Sequence, residues 1–351
     1  WLNGEKLGSH RGGYDPFNFD VTDGLDDGDN ELVVSVWDPT DAGPQPRGKQ
    51  VANPRGIWYT AVTGIWQTVW LEVVPDRHVA RVLASGDPES GRLEVTVDLE
   101  GSPETPGKLP ERLAVELEAG GVVGAAATVR GNTATVTLEV PGAEPWTPDS
   151  PRLYPLRVTI GDDTVESYCA FRAVSWQADK HGVNRLFLNG EPVFHYGPLD
   201  QGWWPDGLYT APTDEALRYD IAMTRELGFN MARKHVKVEP ARWYYWADKL
   251  GLLVWQDMPS GFATGGKGSH RNGDHANFRR ELEAVMEAFR FHPSIVAWIP
   301  YNEGWGQPDA EGTNSTLQWV KKRDPARFIG APSGWTDHGW GDWKDVHKYP
   351  G

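Results

Sequence analysis

Ile295-Val296-Ala297-Trp298-Ile299-Pro300-Tyr301-Asn302-Glu303-Gly304-Trp305 is the stretch from which the rest of this chain is read. Its first five residues form an unbroken apolar run, the pattern of a strand buried on both faces of a parallel sheet. Pro300 closes the run and an Asn-Glu pair follows within two residues. A carboxylate just past a buried parallel strand is how a barrel enzyme presents a general acid.

Moving outward, the same pattern repeats. Short apolar runs at 193–196, 229–232, 252–255 and 328–331, and a last one around Val346, alternate with amphipathic stretches. A helix is expected over 213–227, with Thr213 as N-cap, Asp214 and Glu215 at its positive end and Gly228 as its stop. A second has Pro240 in its first turn and ends at Gly251, with Trp243, Trp246, Ala247 and Leu250 on one face. A third is expected over about 277–291 and a fourth over about 315–322. Strand and helix in alternation mean parallel βαβ units, and six such strands suit a (β/α)8 TIM barrel. A whole barrel needs about 250 residues. Residues 174–351 are fewer, so they are expected to be the N-terminal part of a barrel, about two strands short.

The first 173 residues read as β. In residues 1–74, Asn3-Gly4 marks a hairpin turn, and 17–21, 31–37 and 65–74 have strand patterns. Residues 38–64 between them form a polar, Pro/Gly-rich loop long enough to be functional or disordered. Residues 75–173 carry short alternating segments, at 93–99, 113–117, 134–140 and 156–160, separated by turns, which suggests a small antiparallel sandwich. That sandwich has no residues with a chemical signature.

The formal net charge is −15, which argues against nucleic acid or an anionic membrane as partner. Cys169 is the only cysteine, so an internal disulfide is excluded. No apolar run approaches the roughly 18 residues of a membrane span. The chain begins at Trp1, so its natural N-terminus is expected to lie upstream. Compartment and oligomeric state are left open. The 18 tryptophans stand out, because an indole offers a flat face suited to stacking on a sugar ring. The adjacent Trp203-Trp204, in a Gly/Pro-rich stretch, is less easily read as core than the others.

The barrel's reactive residues should follow its strands. The candidates are Asp200, then Arg233-Lys234-His235, Asp257, Asn302-Glu303, Ser333 and His347. Any strand must end in a polar turn, but ionisable groups at five of six ends exceed what turns require. The His-x-His of metal-dependent barrel hydrolases is absent, since that place reads His195-Tyr196-Gly197. His235, Asp257 and His347 could share a metal, yet their spacing gives no such signal. No nucleotide-binding glycine motif and no Gly-x-Ser-x-Gly elbow is present, and no cofactor is expected. Carboxylate chemistry fits better: Glu303 as proton donor, Asn302 bonding a neighbouring hydroxyl, Arg233 holding a partner carboxylate ionised, and aromatic platforms around them.

Several motifs in order make the chain resemble glycoside hydrolase family 2, the family of β-galactosidases, β-glucuronidases and β-mannosidases. They are Leu2-Asn3-Gly4 with Gly12-Gly13-Tyr14-Asp15-Pro16-Phe17, Pro54-Arg55-Gly56-Ile57-Trp58, Thr63-Gly64-Ile65-Trp66, Trp146 to Tyr154 with Phe171-Arg172, and Phe187-Leu188-Asn189-Gly190-Glu191-Pro192-Val193. The resemblance implies a partial jelly roll over 1–74, an immunoglobulin-like β-sandwich over 75–173 and the barrel from 174. It implies a retaining exo-β-glycosidase acting on a carbohydrate. Glu303 matches the general acid/base and Asn302 the residue that contacts the sugar 2-hydroxyl. Arg233 matches an arginine that supports the nucleophile, His235 its neighbouring histidine, and His347 a sixth-strand histidine near substrate. Asp200, Trp204 and Asp257 are placed by strand position alone. The family's nucleophile is a glutamate after the seventh strand, expected beyond Gly351, so residues 1–351 alone are expected to be inactive. A non-catalytic carbohydrate-binding protein on the same fold is the alternative. The cations at the mouth suit a uronic acid and neutral sugars alike.

Overall fold

In the computed structural model, residues 1–101, 111–261, 275–334 and 337–349 are described. Pro350 and Gly351, at the end of the sequence, lie outside them.

The first 74 residues hold little regular structure. The Asn3-Gly4 turn forms as the sequence requires, with φ of 51° and 87°, and Leu2 and Glu5 exchange two backbone bonds across it. The expected strands at 17–21, 31–37 and 65–74 are not strands. Residues 31–33 lie beside Trp1–Asn3 through only three backbone bonds, from Asn3 N to Glu31 O, from Val33 N to Trp1 O and from the Trp1 amino group to Val33 O. Val69, Trp70, Leu71 and Val73 are exposed. A strand is made by its ladder, and these segments have apolar alternation without neighbours to pair with. The regular pairing here is β1 (Gln50–Val51) with β2 (Tyr59–Thr60), parallel, inside the long polar loop.

The sandwich follows. One sheet orders β3 (His78–Gly86), β4 (Arg92–Glu100) and β7 (Thr133–Glu139). The other orders β6 (Val122–Thr128), β5 (Arg112–Glu118), β8 (Tyr154–Ile160) and β9 (Asp163–Cys169). Alternate residues of each central strand, such as Leu93, Val95, Val97 and Leu99 on β4 and Leu113, Val115 and Leu117 on β5, fill the space between the sheets. An antiparallel unit of β10 (Val174–Ala178), β11 (Asn184–Leu188) and β12 (Glu191–Pro192) leads onward.

The last part is a five-stranded parallel sheet in sequence order: β13 (Leu199–Asp200), β14 (Met231–Lys234), β15 (Leu253–Asp257), β16 (Ile295–Ile299) and β17 (Phe328–Ile329). The helices are α1 (Asp214–Glu226), α2 (Ala241–Leu250), α3 (His275–Phe289) and α4 (Ala310–Arg323). Thr213 Oγ1 accepts from Ala216 N at 3.1 Å, the expected cap, and Gly251 ends α2 at φ 76°. Helix α4 starts five residues earlier than the apolar spacing suggests, because Asp309 caps it through Gly312 N. Two strand expectations fail. The first strand lies at 199–200, after the apolar run 193–196, whose Tyr196 carbonyl still accepts from Asn230 N and Met231 N. The segment around Val346 is not a strand. Its only ladder contact is the Gly330–Trp343 bridge ahead of it, and Val346 itself is exposed.

One buried carboxylate ties the sandwich to the barrel. Asp248, on α2, accepts from Tyr168 Oη of β9 at 2.7 Å and from Ser294 N at 2.9 Å, and its Oδ2 lies 2.6 Å from His292 Nδ1. Its backbone carbonyl accepts from Trp146 Nε1 at 2.7 Å. Asp248→Ala removes the carboxylate from Tyr168 Oη, His292 Nδ1 and Ser294 N, and leaves the Trp146 bond to the backbone carbonyl. Chemical denaturation should show a loss of about 3–5 kcal/mol, well above the effect of Asp149→Ala at the exposed rim.

Candidate active site

The ends of β14, β15, β16 and β17 converge on Asn302 and Glu303. All five residues of β16 are buried, and it is flanked by β15 and β17, so its far end is fixed on both sides. The chain then turns through unusual backbone. Glu303 has φ 49°, and Val236 after β14 and Ser333 after β17 have φ 45° and 47°. Non-glycine residues rarely adopt this region, and for a β-branched residue such as Val236 it is costly. These strained positions gather at one end of the sheet.

The polar framework begins with Asp257, the last residue of β15, which is fully buried. Arg233 grips it with two bonds, from Nε at 2.9 Å and from Nη2 at 2.8 Å. Val236 N adds a third at 3.1 Å, and His235 Nδ1 stands 3.5 Å away. Burial alone would raise the Asp257 pKa. The Arg233 charge outweighs it and holds the carboxyl below its usual range. His235 is depressed in the other sense: burial disfavours its charged form more than Asp257 favours it. Arg233 Nη2 also donates to Asn302 Oδ1 at 2.9 Å, and Ser333 Oγ lies 3.3 Å from that same oxygen and 3.0 Å from Glu303 N. Asn302 is fully buried, and its Nδ2 has no partner among the described residues.

Glu303 Oε1 accepts from Tyr349 Oη at 2.9 Å and lies 3.1 Å from His347 Nε2, whose other nitrogen lies 3.3 Å from the Ser333 carbonyl. A carbonyl only accepts, so Nδ1 faces it as a donor. The Nε2–Oε1 contact then needs a proton, on the imidazole or on the carboxyl. The Glu303 side chain is 16% exposed, so solvent reaches its carboxyl.

Of the residues expected at the mouth, Arg233, Asp257, Asn302, Glu303 and His347 thus form one connected cluster, with His235 beside it. Asp200 stands apart. Its carboxylate is bound to Lys234 Nζ at 2.7 Å, and Lys234 also reaches Glu239 at 2.9 Å. Trp204 bonds Leu208 through two backbone contacts, and its half-buried indole Nε1 has no partner among the described residues. Its neighbour Trp203 stacks on Tyr59 at 4.6 Å and meets Tyr209 edge-on. Sequence reading missed Tyr349, the bonding role of Ser333, and the approach of the 38–64 loop, which brings Lys49 and Trp58 to the rim. Its length was the available signal. Among the described residues, no three His, Cys, Asp or Glu side chains come together as metal ligands, and no helix is long and apolar enough to cross a membrane.

Two family descriptions match this architecture, glycosyl hydrolases family 2 over residues 77–172 and the TIM barrel domain of that family over residues 210–339. The chain belongs to glycosyl hydrolase family 2. A family member from Thermoanaerobacter pseudethanolicus, named β-galactosidase, is 26% identical over 334 residues, covering 88% of this chain and 41% of its own. The crystal structure of a Bacteroides uniformis β-glucuronidase superposes with a TM-score of 0.72 at 25% identity, over 94% of this chain and 42% of that one. A β-glycosidase structure from Bacteroides vulgatus shares the fold, with a TM-score of 0.73 at 20% identity over 97% of this chain and 44% of that one. The chain spans about two fifths of the length of the curated relatives it matches.

The shifts at Asp257 and His235 both make acid destabilising. The Asp257 pKa is lower folded than unfolded, so its stabilisation is present above the ordinary carboxylate pKa of about 4 and is lost as pH falls below it. The folded His235 pKa is also lowered, so its contribution is present above the unfolded pKa of about 6.5 and is lost as pH falls below that. Denaturation midpoints at pH 7, 5 and 3 should therefore fall more steeply for the wild type than for Asp257→Asn. Arg233→Met, which strands the buried carboxylate, should cost about 3–5 kcal/mol at pH 7.

Proposed function

We propose that this chain is part of a retaining exo-β-glycosidase in which Glu303 is the general acid/base. The observation that carries this reading is the carboxyl of Glu303. Its Oε1 is oriented by Tyr349 and His347, while its Oε2 has no partner among the described residues and stays available to a substrate. In the first step Glu303 donates its proton to the glycosidic oxygen as the bond to the anomeric carbon breaks. In the second it takes a proton from the water that releases the sugar. Asn302, held through Oδ1 by Arg233, offers its unpartnered Nδ2 to the hydroxyl beside the reacting centre. Asp257 keeps Arg233 in place and does not touch substrate in this scheme.

The retaining route needs a second carboxylate about 5–5.5 Å from the first. We assign it to a later barrel strand than β17. The substrate is a β-glycoside. Relatives named for glucuronides and galactosides support the class and leave the sugar to assay.

The test is Glu303→Gln in the full-length protein. Turnover of aryl β-glycosides with poor leaving groups should fall about 10²–10⁴-fold, the usual worth of a general acid/base. Azide, which needs no general base, should restore turnover of a substrate with a good leaving group and give a glycosyl azide of retained configuration. Undiminished hydrolysis by the variant would sink the assignment. Saturable sugar binding without hydrolysis in the wild type would favour a carbohydrate-binding protein.

A further inference from the structure

Lys49 belongs to no barrel strand, yet it stands at the barrel's mouth. It sits on the 38–64 loop, one residue before β1, and its Nζ donates to Gln201 Oε1 at 2.9 Å, just past the end of β13. The loop is docked at several points on the rim that carries Glu303. Gly48 N donates to Pro259 O at 3.1 Å, beyond the end of β15. Gly48 has φ 61°, and a Cβ there would lie 2.2 Å from the Val236 carbonyl, so only glycine permits this approach. Trp58 stacks on Trp305, two residues past Glu303, with ring centroids 5.2 Å apart. Tyr59, whose N–H donates to the Lys49 carbonyl at 2.9 Å, stacks on Trp203.

Three other cations near these strand ends are paired with carboxylates. Arg233 is bound to Asp257, and Lys234 and Lys237 share Glu239. Lys49 is only 8% exposed, and among the described residues no carboxylate lies within ion-pair distance of it. An ammonium has three donors, and one neutral amide satisfies one of them. Burial lowers its pKa, and the through-space pull of Glu303 opposes that, which puts Lys49 in the field of the acid. A part-buried ammonium with one protein acceptor gains from a ligand that supplies more.

We propose that Lys49 is a specificity residue that binds an anionic substituent of the glycoside, a carboxylate or a sulfate ester, so that the loop before the sandwich selects the substrate together with the barrel. The proposal rests on the glycosidase reading above. An anion at Lys49 fills its remaining donors with charge-assisted bonds and offsets its desolvation. The loop that brings it there is itself bound to the strand ends, so the ammonium is placed before substrate arrives.

The experiment compares the full-length wild type with Lys49→Met and Lys49→Arg on 4-nitrophenyl β-glucuronide, β-galactoside and β-galactoside 6-sulfate. The first and third separate carboxylate from sulfate, and the second is the neutral reference. Lys49→Met should lose about 10–100-fold in kcat/KM on the preferred anionic substrate, mainly through KM, in line with a lost charged hydrogen bond. It should stay within about threefold of wild type on the neutral one. Lys49→Arg should recover most of the loss. Equal losses on charged and neutral glycosides mark a structural role and overturn the proposal, as does no loss on the charged ones or a wild type that hydrolyses neutral glycosides alone. Glu303→Gln separates the two readings. If it abolishes hydrolysis while Lys49→Met changes nothing, only the Lys49 proposal falls. If the wild type hydrolyses no glycoside, the glycosidase reading falls and this proposal with it.

Discussion

The Arg233–Asp257 pair is the interaction on which the mouth of this barrel depends. A carboxylate with no solvent exposure is tolerable only if its charge is matched and its lone pairs are filled. Arg233 matches it with a planar two-bond grip, and Val236 N takes another lone pair. The guanidinium fork spends two donors on Asp257 and extends the network to Asn302. From there Ser333 links the end of β17 to the Glu303 backbone. Four strand ends are thus locked through one buried ion pair. A lysine at position 233 could neutralise the charge, but its single ammonium could not hold two neighbours in a fixed plane.

This framework sits inside a larger one. The sandwich braces the barrel: through Tyr168 and Trp146 it is bonded to Asp248, and Arg172 reaches the carbonyls of Pro293, Ile295 and Ala326. Ile295 begins the strand that leads to Glu303, and Pro293 lies two residues before it. The 38–64 loop covers the opposite end, where Gly48 and Trp58 dock. Both preceding segments therefore brace β16, one at its start and the other beyond its end. Strained backbone at Val236, Glu303 and Ser333 can persist where surrounding contacts over-determine it.

Much of this was legible from residues alone, for local reasons. Thr213 before Asp214-Glu215, Gly251 after Leu250, and the five apolar residues of β16 each specify their conformation within a few positions, and the structure agrees. The segments that failed had the right composition and lacked partners. Residues 65–74 are rich in strand-forming apolar residues, and Val69, Trp70 and Val73 stay exposed because no neighbouring ladder receives them. The early start of α4 was missed because its signal, the Asp309 cap, lies outside the apolar spacing.

The sequence by itself determined which side chains stand at the ends of the parallel strands, because a strand's period and its terminating turn are properties of adjacent residues. Those positions include Arg233, Asp257, Asn302 and Glu303. Tertiary structure alone decided how they divide the work. Asp257 and Arg233 neutralise each other in the interior, Asp200 is taken up by Lys234, and Tyr349 joins His347 at the Glu303 carboxyl. It alone brought Lys49 to the same rim, across 152 positions from Gln201. Charge pairing and burial depend on distances between residues remote in sequence, and no local pattern encodes those distances.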